Sequence, residues 1–330
     1  MIEEVCRFAL NSARLSSRAK ELRHKLCGVI NQLSAAELIA SRDTTGDVGT
    51  DIQVQGQLTR TGLKDCLTAA CKRLTEALRV LAEVLRTVDS SAAEVVEKLR
   101  YSAYTLEKDV ITRIETGEKF KSVGLYVLIS ADLPIDIAHL AGDCIAGGAD
   151  CIQLRAKGMN DQSVFALAVE LVKMCHDAGV LCIINDRVDI AAAAGADGVH
   201  LGQTDLPIQE ARKLEMTPLI LGKSTHSPSE LDNAIAEGAD YVSLGPVFAT
   251  NTKPDVPAVG PDYVKQGLEK ISAEGINGVA IGGINLENID DVLRTGVKTI
   301  AICSAICNSR EPKKICRLLK QRITESNKRQ

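Results

Sequence analysis

The sequence predicts an α/β protein, a (β/α)8 barrel preceded by a smaller all-α region, and three observations carry that expectation. After residue 124, short apolar runs alternate eight times with amphipathic stretches. A small glycine-bearing signature recurs just ahead of several of those runs. Residues 1–118 show neither feature and are patterned as helix.

The helical region comes first. Residues 63–85 (LKDCLTAACKRLTEALRVLAEVL) place apolar side chains at steps of three and four with charges between them, and 94–114 repeat the pattern. Glycine and proline are almost absent apart from a polar interruption at 41–62, which reads as a loop between helical hairpins. Arg42, Asp43, Asp47 and Gly49 give that loop some capacity to bind a ligand; a docking or oligomerisation role for the helices is the plainer expectation. The segment 116–121 (TGEKFK) is polar and contains a glycine, so it is expected to be a hinge between domains 1–118 and 122–330.

The strand runs are 124–130 (GLYVLIS), 151–156 (CIQLRA), 181–186 (LCIIND), 198–202 (GVHLG), 219–224 (LILGKS), 241–247 (YVSLGPV), 278–284 (GVAIGGI) and 299–305 (TIAICSA). They are continuously apolar, as strands buried on both faces are. GGAD at 147–150, GAD at 195–197, EGAD at 237–240 and TGV at 295–297 each put a glycine where a helix can end in a left-handed cap before a strand. Eight strand–helix units in about 200 residues is the arithmetic of a TIM barrel. A doubly wound open sheet is the alternative, but it usually has fewer strands and a glycine-rich first turn, and no GxGxxG is present. GKS at 222–224 imitates the end of a P-loop, but Thr217 stands where that motif needs glycine.

Composition narrows the function. A net charge of −4 gives no pull toward nucleic acid or anionic membrane, and 3% aromatic residues leave few stacking platforms. No run of about 18 uncharged apolar residues suggests a membrane span. Eleven scattered cysteines, with no CxxC pair, read as reduced thiols in a cytoplasmic protein rather than zinc ligands.

In this fold the chemistry sits at the C-terminal ends of the strands. Gln153, Arg155 and Lys157 are spaced i, i+2, i+4, so a strand points all three to one face. Such a face is costly without a partner, and an anion with several oxygens is a natural one; a salt bridge reaching solvent is the alternative. Asp186 and Asp205 leave neighbouring strands and could act as counter-ions or hold Mg2+ with phosphate oxygens. Thr250, Thr252 and Lys253, on the loop after the sixth strand, suit a second phosphate, or are an ordinary polar turn. Gly282-Gly283 and Ser304 end the last two strands, the usual phosphate site of the fold. His200 and His226 are expected to be hydrogen-bonded structural residues, and His176 shows no sign of a role.

Taken together, QLRAK (153–157), NDR (185–187), GVHLGQTD (198–205), GKSTHS (222–227), GPVFATNTK (245–253), IGGI (281–284) and CSAI (303–306) resemble the thiamine-phosphate synthase family. The likeness covers roughly residues 122–310 in the family's order. It implies a transferase that joins 4-amino-5-hydroxymethyl-2-methylpyrimidine diphosphate to 4-methyl-5-(2-hydroxyethyl)thiazole phosphate, with Mg2+ as cofactor. By position it implies Gln153, Arg155, Lys157 and Asn185 on the pyrimidine diphosphate, Asp186 and Asp205 on Mg2+, and Ser224 on the pyrimidine. Lys253 would meet the diphosphate, and Thr250, Thr252, Gly283 and Ser304 the thiazole phosphate; Arg155, Lys157 and Lys253 carry the implied catalytic role. The family is thought to ionise the pyrimidine methylene–oxygen bond before the thiazole nitrogen attacks, which needs no general base. Ala156 departs from the acidic residue frequent in the family, but points away from the Arg155/Lys157 face. The N-terminal region resembles helical extensions fused to some members, and a homo-oligomer is compatible with its apolar faces.

Two rivals stand beside this reading. A related barrel that isomerises a thiazole carboxylate phosphate would use a histidine such as His226, but would not need the full Gln153/Arg155/Lys157 set or the Asp186/Asp205 pair. A sensor that binds thiamine phosphate, with the helices as output, would use the same pocket without turnover.

Overall fold

The computed structural model describes the chain except for residues 11, 44, 48–58, 132–135, 215–218, 251–255, 273 and 330. It divides into two compact units, Met1–Ile114 and Glu115–Gln330.

The first unit is helical. Helix Leu63–Leu85 matches the periodic stretch and buries Leu67, Cys71, Leu78, Ala82 and Leu85 on one face. Helix Ser90–Lys121 buries Ala92, Val96, Leu99, Ala103, Leu106 and Val110, again at steps of three and four. Asp89 starts that helix by accepting from the backbone N–H groups of Ser91 and Ala92. Arg18 and Asp109 are paired at the edge of this core. Helix Ala35–Ala40 precedes the polar interruption; residues 41–43, 45–47 and 59–62 of that interruption hold no helix or strand, and the remainder, including Gly49, lies outside the described residues.

The hinge expectation needs correcting. Residues 116–121 are helical, the last turns of Ser90–Lys121. Phe120, the one apolar residue in TGEKFK, is almost fully buried. Its ring stacks on Tyr241 at 4.4 Å and meets Tyr126 edge-on at 6.5 Å. A segment that looks polar by count is therefore anchored by one aromatic side chain inside the second unit.

The second unit is a closed barrel of eight parallel strands in sequence order. The strands are β1 Leu125–Ser130, β2 Cys151–Arg155, β3 Leu181–Asn185, β4 Gly198–Leu201, β5 Ile220–Thr225, β6 Tyr241–Leu244, β7 Asn277–Ile281 and β8 Thr299–Ile302. Each falls within a few residues of a predicted run. Alternate side chains divide two cores. Val127, Ile152, Leu154, Ile184, Val199, Leu221, Val242 and Ile300 face the surrounding helices. Tyr126, Cys151, Leu181, Ile183, Ile220, Tyr241, Val279 and Ala301 fill the barrel interior with Phe120.

The recurring signature does more than cap helices. Gly148, Gly195, Gly238 and Gly296 all have positive φ, as a left-handed turn before a strand requires. The aspartate that follows in three copies ties down the preceding strand. Asp150 Oδ2 accepts from Gly124 and Leu125 N–H, Asp197 Oδ2 from Cys182 N–H, and Asp240 Oδ2 from Leu221 N–H, all at 2.7–2.8 Å. Each aspartate also has a basic partner: Lys320, His176 and Arg212 respectively. His176 thus has a structural place that its sequence context did not show. All eleven cysteines are free, and eight of them are buried. No helix among the described residues is long and apolar enough to cross a membrane.

Candidate active site

A cavity of about 540 Å3 opens at the C-terminal ends of the strands, and every strand contributes to its wall. The parity of β2 brings Gln153 and Arg155 to it together, and Lys157, in the turn two residues beyond the strand's end, lines it as well. Ala156, between them, packs against the outer core instead. Arg155 Nη1 donates to Ser130 Oγ at 3.0 Å, which steadies the guanidinium at the rim. Lys157 Nζ lies 3.6 Å from Asp186 Oδ2, with more than half of the lysine side chain exposed.

Asp186 follows the last residue of β3 with φ 63°, and is the one non-glycine residue at positive φ among the described residues. Its N–H donates to His200 O at 2.8 Å, so the turn is fixed from β4. Left-handed backbone costs an ordinary residue roughly 1–2 kcal/mol, and aspartate is among the few that tolerate it. Asp205 comes from the other side. Gly202 N–H donates to its Oδ2 at 2.7 Å, and a Cβ at Gly202 would stand 2.9 Å from that oxygen. The two carboxylates face one another. Burial and the facing Asp205 push Asp186 up to about 6, against the pull of Lys157. Asp205 is held below the usual carboxylate range: burial opposes this, but its hydrogen bond with Asp186, the Gly202 N–H and the charges of Lys157 and Lys223 outweigh it. Two carboxylates that resist ionising together are suited to a cation. No group of three or more His, Cys, Asp or Glu side chains is arranged to hold a metal among the described residues.

Across the mouth, β6 to β8 form a second wall. Gly282 and Gly283 have φ 103° and 65°. A Cβ on Gly282 would stand 2.3 Å from Pro246 Cβ, and one on Gly283 2.6 Å from Ala249 O. The glycines therefore serve tight packing as well as the rim, and Val247 and Phe248 N–H donate to Ile281 and Gly282 O across the same contact. Asn288 Nδ2 donates to Gly283 O and holds the turn from beyond. Thr250, Gly283 and Ser304 all line the cavity. Thr252 and Lys253 lie outside the described residues.

The interior floor holds residues that the sequence reading passed over. Gln153 Nε2 donates to Tyr126 Oη at 2.8 Å, and Tyr126 Oη lies 3.1 Å from Tyr241 Oη. Tyr241 Oη is 2.9 Å from His200 Nδ1, and His200 Nε2 is 3.0 Å from Ser224 Oγ. Gly222 makes room for this column, because a Cβ there would stand 2.0 Å from the Tyr241 ring. Burial keeps both phenols well above their ordinary range, hence protonated. The available signal was parity: Tyr126 and Tyr241 share the inward register of Gln153 and Ser243, and are two of only five tyrosines in the chain. His200 meets its expectation of a hydrogen-bonded residue. His226, also on the cavity wall, is occupied through Nδ1 by Glu230 Oε2 at 2.9 Å. Arg187, though adjacent to Asp186, pairs with Asp161 and Asp189.

Comparison with known proteins bears on the whole chain. The profile of a family described as thiamine monophosphate synthase matches residues 125–306, and one described as the ThiD2 family matches 1–109. The thiamine-phosphate synthase of Thermosynechococcus vestitus is 37% identical over 328 residues, covering 98% of this chain and 91% of its own length. That of a Nostoc species is 38% identical over 315 residues, covering 94% and 86%. A thiamine phosphate pyrophosphorylase structure from Pyrococcus furiosus is 33% identical with a TM-score of 0.58, and spans 62% of this chain and 97% of that one.

Proposed function

Because the chain belongs to the thiamine-phosphate synthase family and is a transferase of thiamine biosynthesis, we propose that the cavity joins 4-amino-5-hydroxymethyl-2-methylpyrimidine diphosphate to 4-methyl-5-(2-hydroxyethyl)thiazole phosphate and releases diphosphate. One observation carries the assignment to this site: Lys157 stands beside Asp186 at the place where Asp186 and Asp205 face each other. Cationic and acidic groups at one rim suit a diphosphate that arrives with a divalent cation.

The donor set fits Mg2+. That ion typically takes one or two protein carboxylates and completes its shell with phosphate oxygens and water, and Asp186 and Asp205 would be those carboxylates. When bound, Mg2+ supplies positive charge against the leaving diphosphate. Arg155 would chelate two of its oxygens and Lys157 would add a point charge; Asn185, at the end of β3, would fix its orientation. Lys253 remains assigned to the diphosphate, and Thr252 to the thiazole phosphate, on the family resemblance alone. Thr250, Gly283 and Ser304 would hold the thiazole phosphate on the opposite wall, so the two substrates would meet across the barrel mouth.

The chemistry asks little of an acid or base. As the methylene–oxygen bond breaks, electrons leave with the diphosphate, and the aminopyrimidine spreads the positive charge. The thiazole nitrogen attacks with a lone pair and has no proton to lose. Leu128, Val279 and Ile281 line the same cavity and disfavour water, which would otherwise capture the cation. The isomerase alternative would call on His226, which is hydrogen-bonded to Glu230.

The test is direct. Purified protein with both substrates and Mg2+ is expected to yield thiamine phosphate and diphosphate in equal amounts, and chelation of the metal should stop turnover. Lys157→Ala is expected to lower kcat by about 100-fold or more, the scale of losing one preorganised charge contact. Absence of product with all components present, or wild-type kcat in that variant, would overturn the assignment.

A further inference from the structure

Binding the pyrimidine needs a hydroxyl at Ser224, but it does not explain why a histidine and two tyrosines are stacked beneath that hydroxyl. Gln153, Tyr126, Tyr241, His200 and Ser224 form one continuous column, and each is buried. Such a column has a direction, because each hydroxyl carries one proton and a neutral imidazole carries one.

The direction can be read from the closed end. Gln153 Nε2 donates to Tyr126 Oη, so the Tyr126 proton goes on to Tyr241 Oη. Tyr241 is then left to donate to His200 Nδ1, which is the unprotonated ring nitrogen. The ring's proton resides on Nε2 and goes to Ser224 Oγ. Ser224 therefore sends its own proton outward, into the cavity that it lines. The reverse arrangement directs two donors at Tyr126 Oη and leaves the Tyr126 proton to the neighbouring Cys151 thiol, a weak acceptor.

We infer that Tyr126, Tyr241 and His200 are positioning residues that fix the His200 tautomer and so make Ser224 an obligate hydrogen-bond donor, which selects a substrate presenting an acceptor, such as a ring nitrogen lone pair, at that point. Gln153 Oε1, at the closed end, is buried and has no partner among the described residues, so it is Ser224 that presents the column to the cavity. The inference rests on the reading that Ser224 meets the pyrimidine.

Long-range 15N–1H NMR on uniformly 15N-labelled wild-type protein reports the tautomer without any ligand. His200 is expected to carry its proton on Nε2 at neutral pH; a proton on Nδ1 overturns the inference. In steady-state kinetics, Tyr241→Phe removes the donor to Nδ1. It should raise KM for the pyrimidine diphosphate by roughly five- to tenfold, the scale of one buried hydrogen bond, while KM for the thiazole phosphate stays within about twofold. His200→Gln can still offer an N–H to Ser224 and should lie closer to wild type than His200→Leu. Ser224→Ala separates the two layers. If it raises the pyrimidine KM while Tyr241→Phe does not, the relay is wrong and the substrate reading stands. If Ser224→Ala leaves that KM unchanged, the substrate reading fails and takes the recognition step with it, whatever the tautomer. Should any variant fail to fold, the wild-type spectrum still decides the direction of the column.

Discussion

Asp186 holds a backbone conformation that few residues accept and faces a second carboxylate, so it is the side chain where stability and the proposed cation-binding role pull apart. Its carboxyl is pushed up to about 6 from the usual 3.8, so the fold binds that proton more tightly than the unfolded chain does. The linkage then has one sign. As pH rises from about 4 through about 6, the metal-free fold loses stability through this group, and the full penalty persists at higher pH. Asparagine keeps the shape, tolerates the left-handed backbone and carries no charge. Asp186→Asn should therefore stabilise the metal-free protein at about pH 8 by roughly 1–2 kcal/mol, after allowing for partial exposure of the side chain, and should gain little at about pH 4. Thermal melts at the two pH values would show a rise of a few degrees in the first case only. Turnover should fall at the same time, because the proposed cation site would lose one of its two carboxylates. A gain over wild type that is equal at both pH values would mean that the Asp186 carboxylate is not in conflict with Asp205.

At the scale of elements, the strands were legible because burial on both faces makes each one a continuous apolar run, and the parity of β2 grouped Gln153 and Arg155, with Lys157 following in the turn after it. Other features were hidden, and the reason is distance along the chain. Asp197 sits in a turn where an aspartate is unremarkable, and its hydrogen-bond partner Cys182 lies 15 residues earlier on another strand. Tyr126 and Tyr241 look like core aromatics; barrel closure joins their hydroxyls across 115 residues. The aspartates of the recurring signature belong to the N-terminal end of the strands, away from the cavity, so their removal should weaken the fold without touching the chemistry. Asp197→Ala leaves the Cys182 N–H without its side-chain acceptor and His176 without its partner. A cost of about 1–3 kcal/mol is expected, with Asp197→Asn losing less because one carbonyl acceptor remains. Urea midpoints would rank wild type, Asn and Ala in that order, while kcat measured well below the transition stays near wild type. A large loss of kcat in folded Asp197→Ala would show that this end of the barrel does communicate with the rim.

For the whole molecule, the described residues that line the cavity all belong to the second unit, and the Pyrococcus furiosus structure is almost fully covered by 62% of this chain. The helical unit is thus expected to be dispensable for the proposed chemistry, but the cut must respect the packing. Helix Ser90–Lys121 continues past the division between units, and its last turn delivers Phe120 onto Tyr241 and Tyr126. A fragment that starts at Lys119 keeps this ring; one that starts at Ser122 does not. Deleting a buried phenylalanine usually costs about 3–5 kcal/mol, a large share of the roughly 5–15 kcal/mol that holds a domain folded. The fragment beginning at Lys119 should therefore fold and form thiamine phosphate, whereas the one beginning at Ser122 should melt at least several degrees lower. Full-length Phe120→Ala should show the same loss of barrel stability with the helices still present. Melting curves and turnover for the three proteins would separate the two contributions. If the Lys119 fragment folds but is inactive, the helical unit has a part in the reaction; if the Ser122 fragment is as stable as the Lys119 fragment, the barrel does not depend on the ring of Phe120.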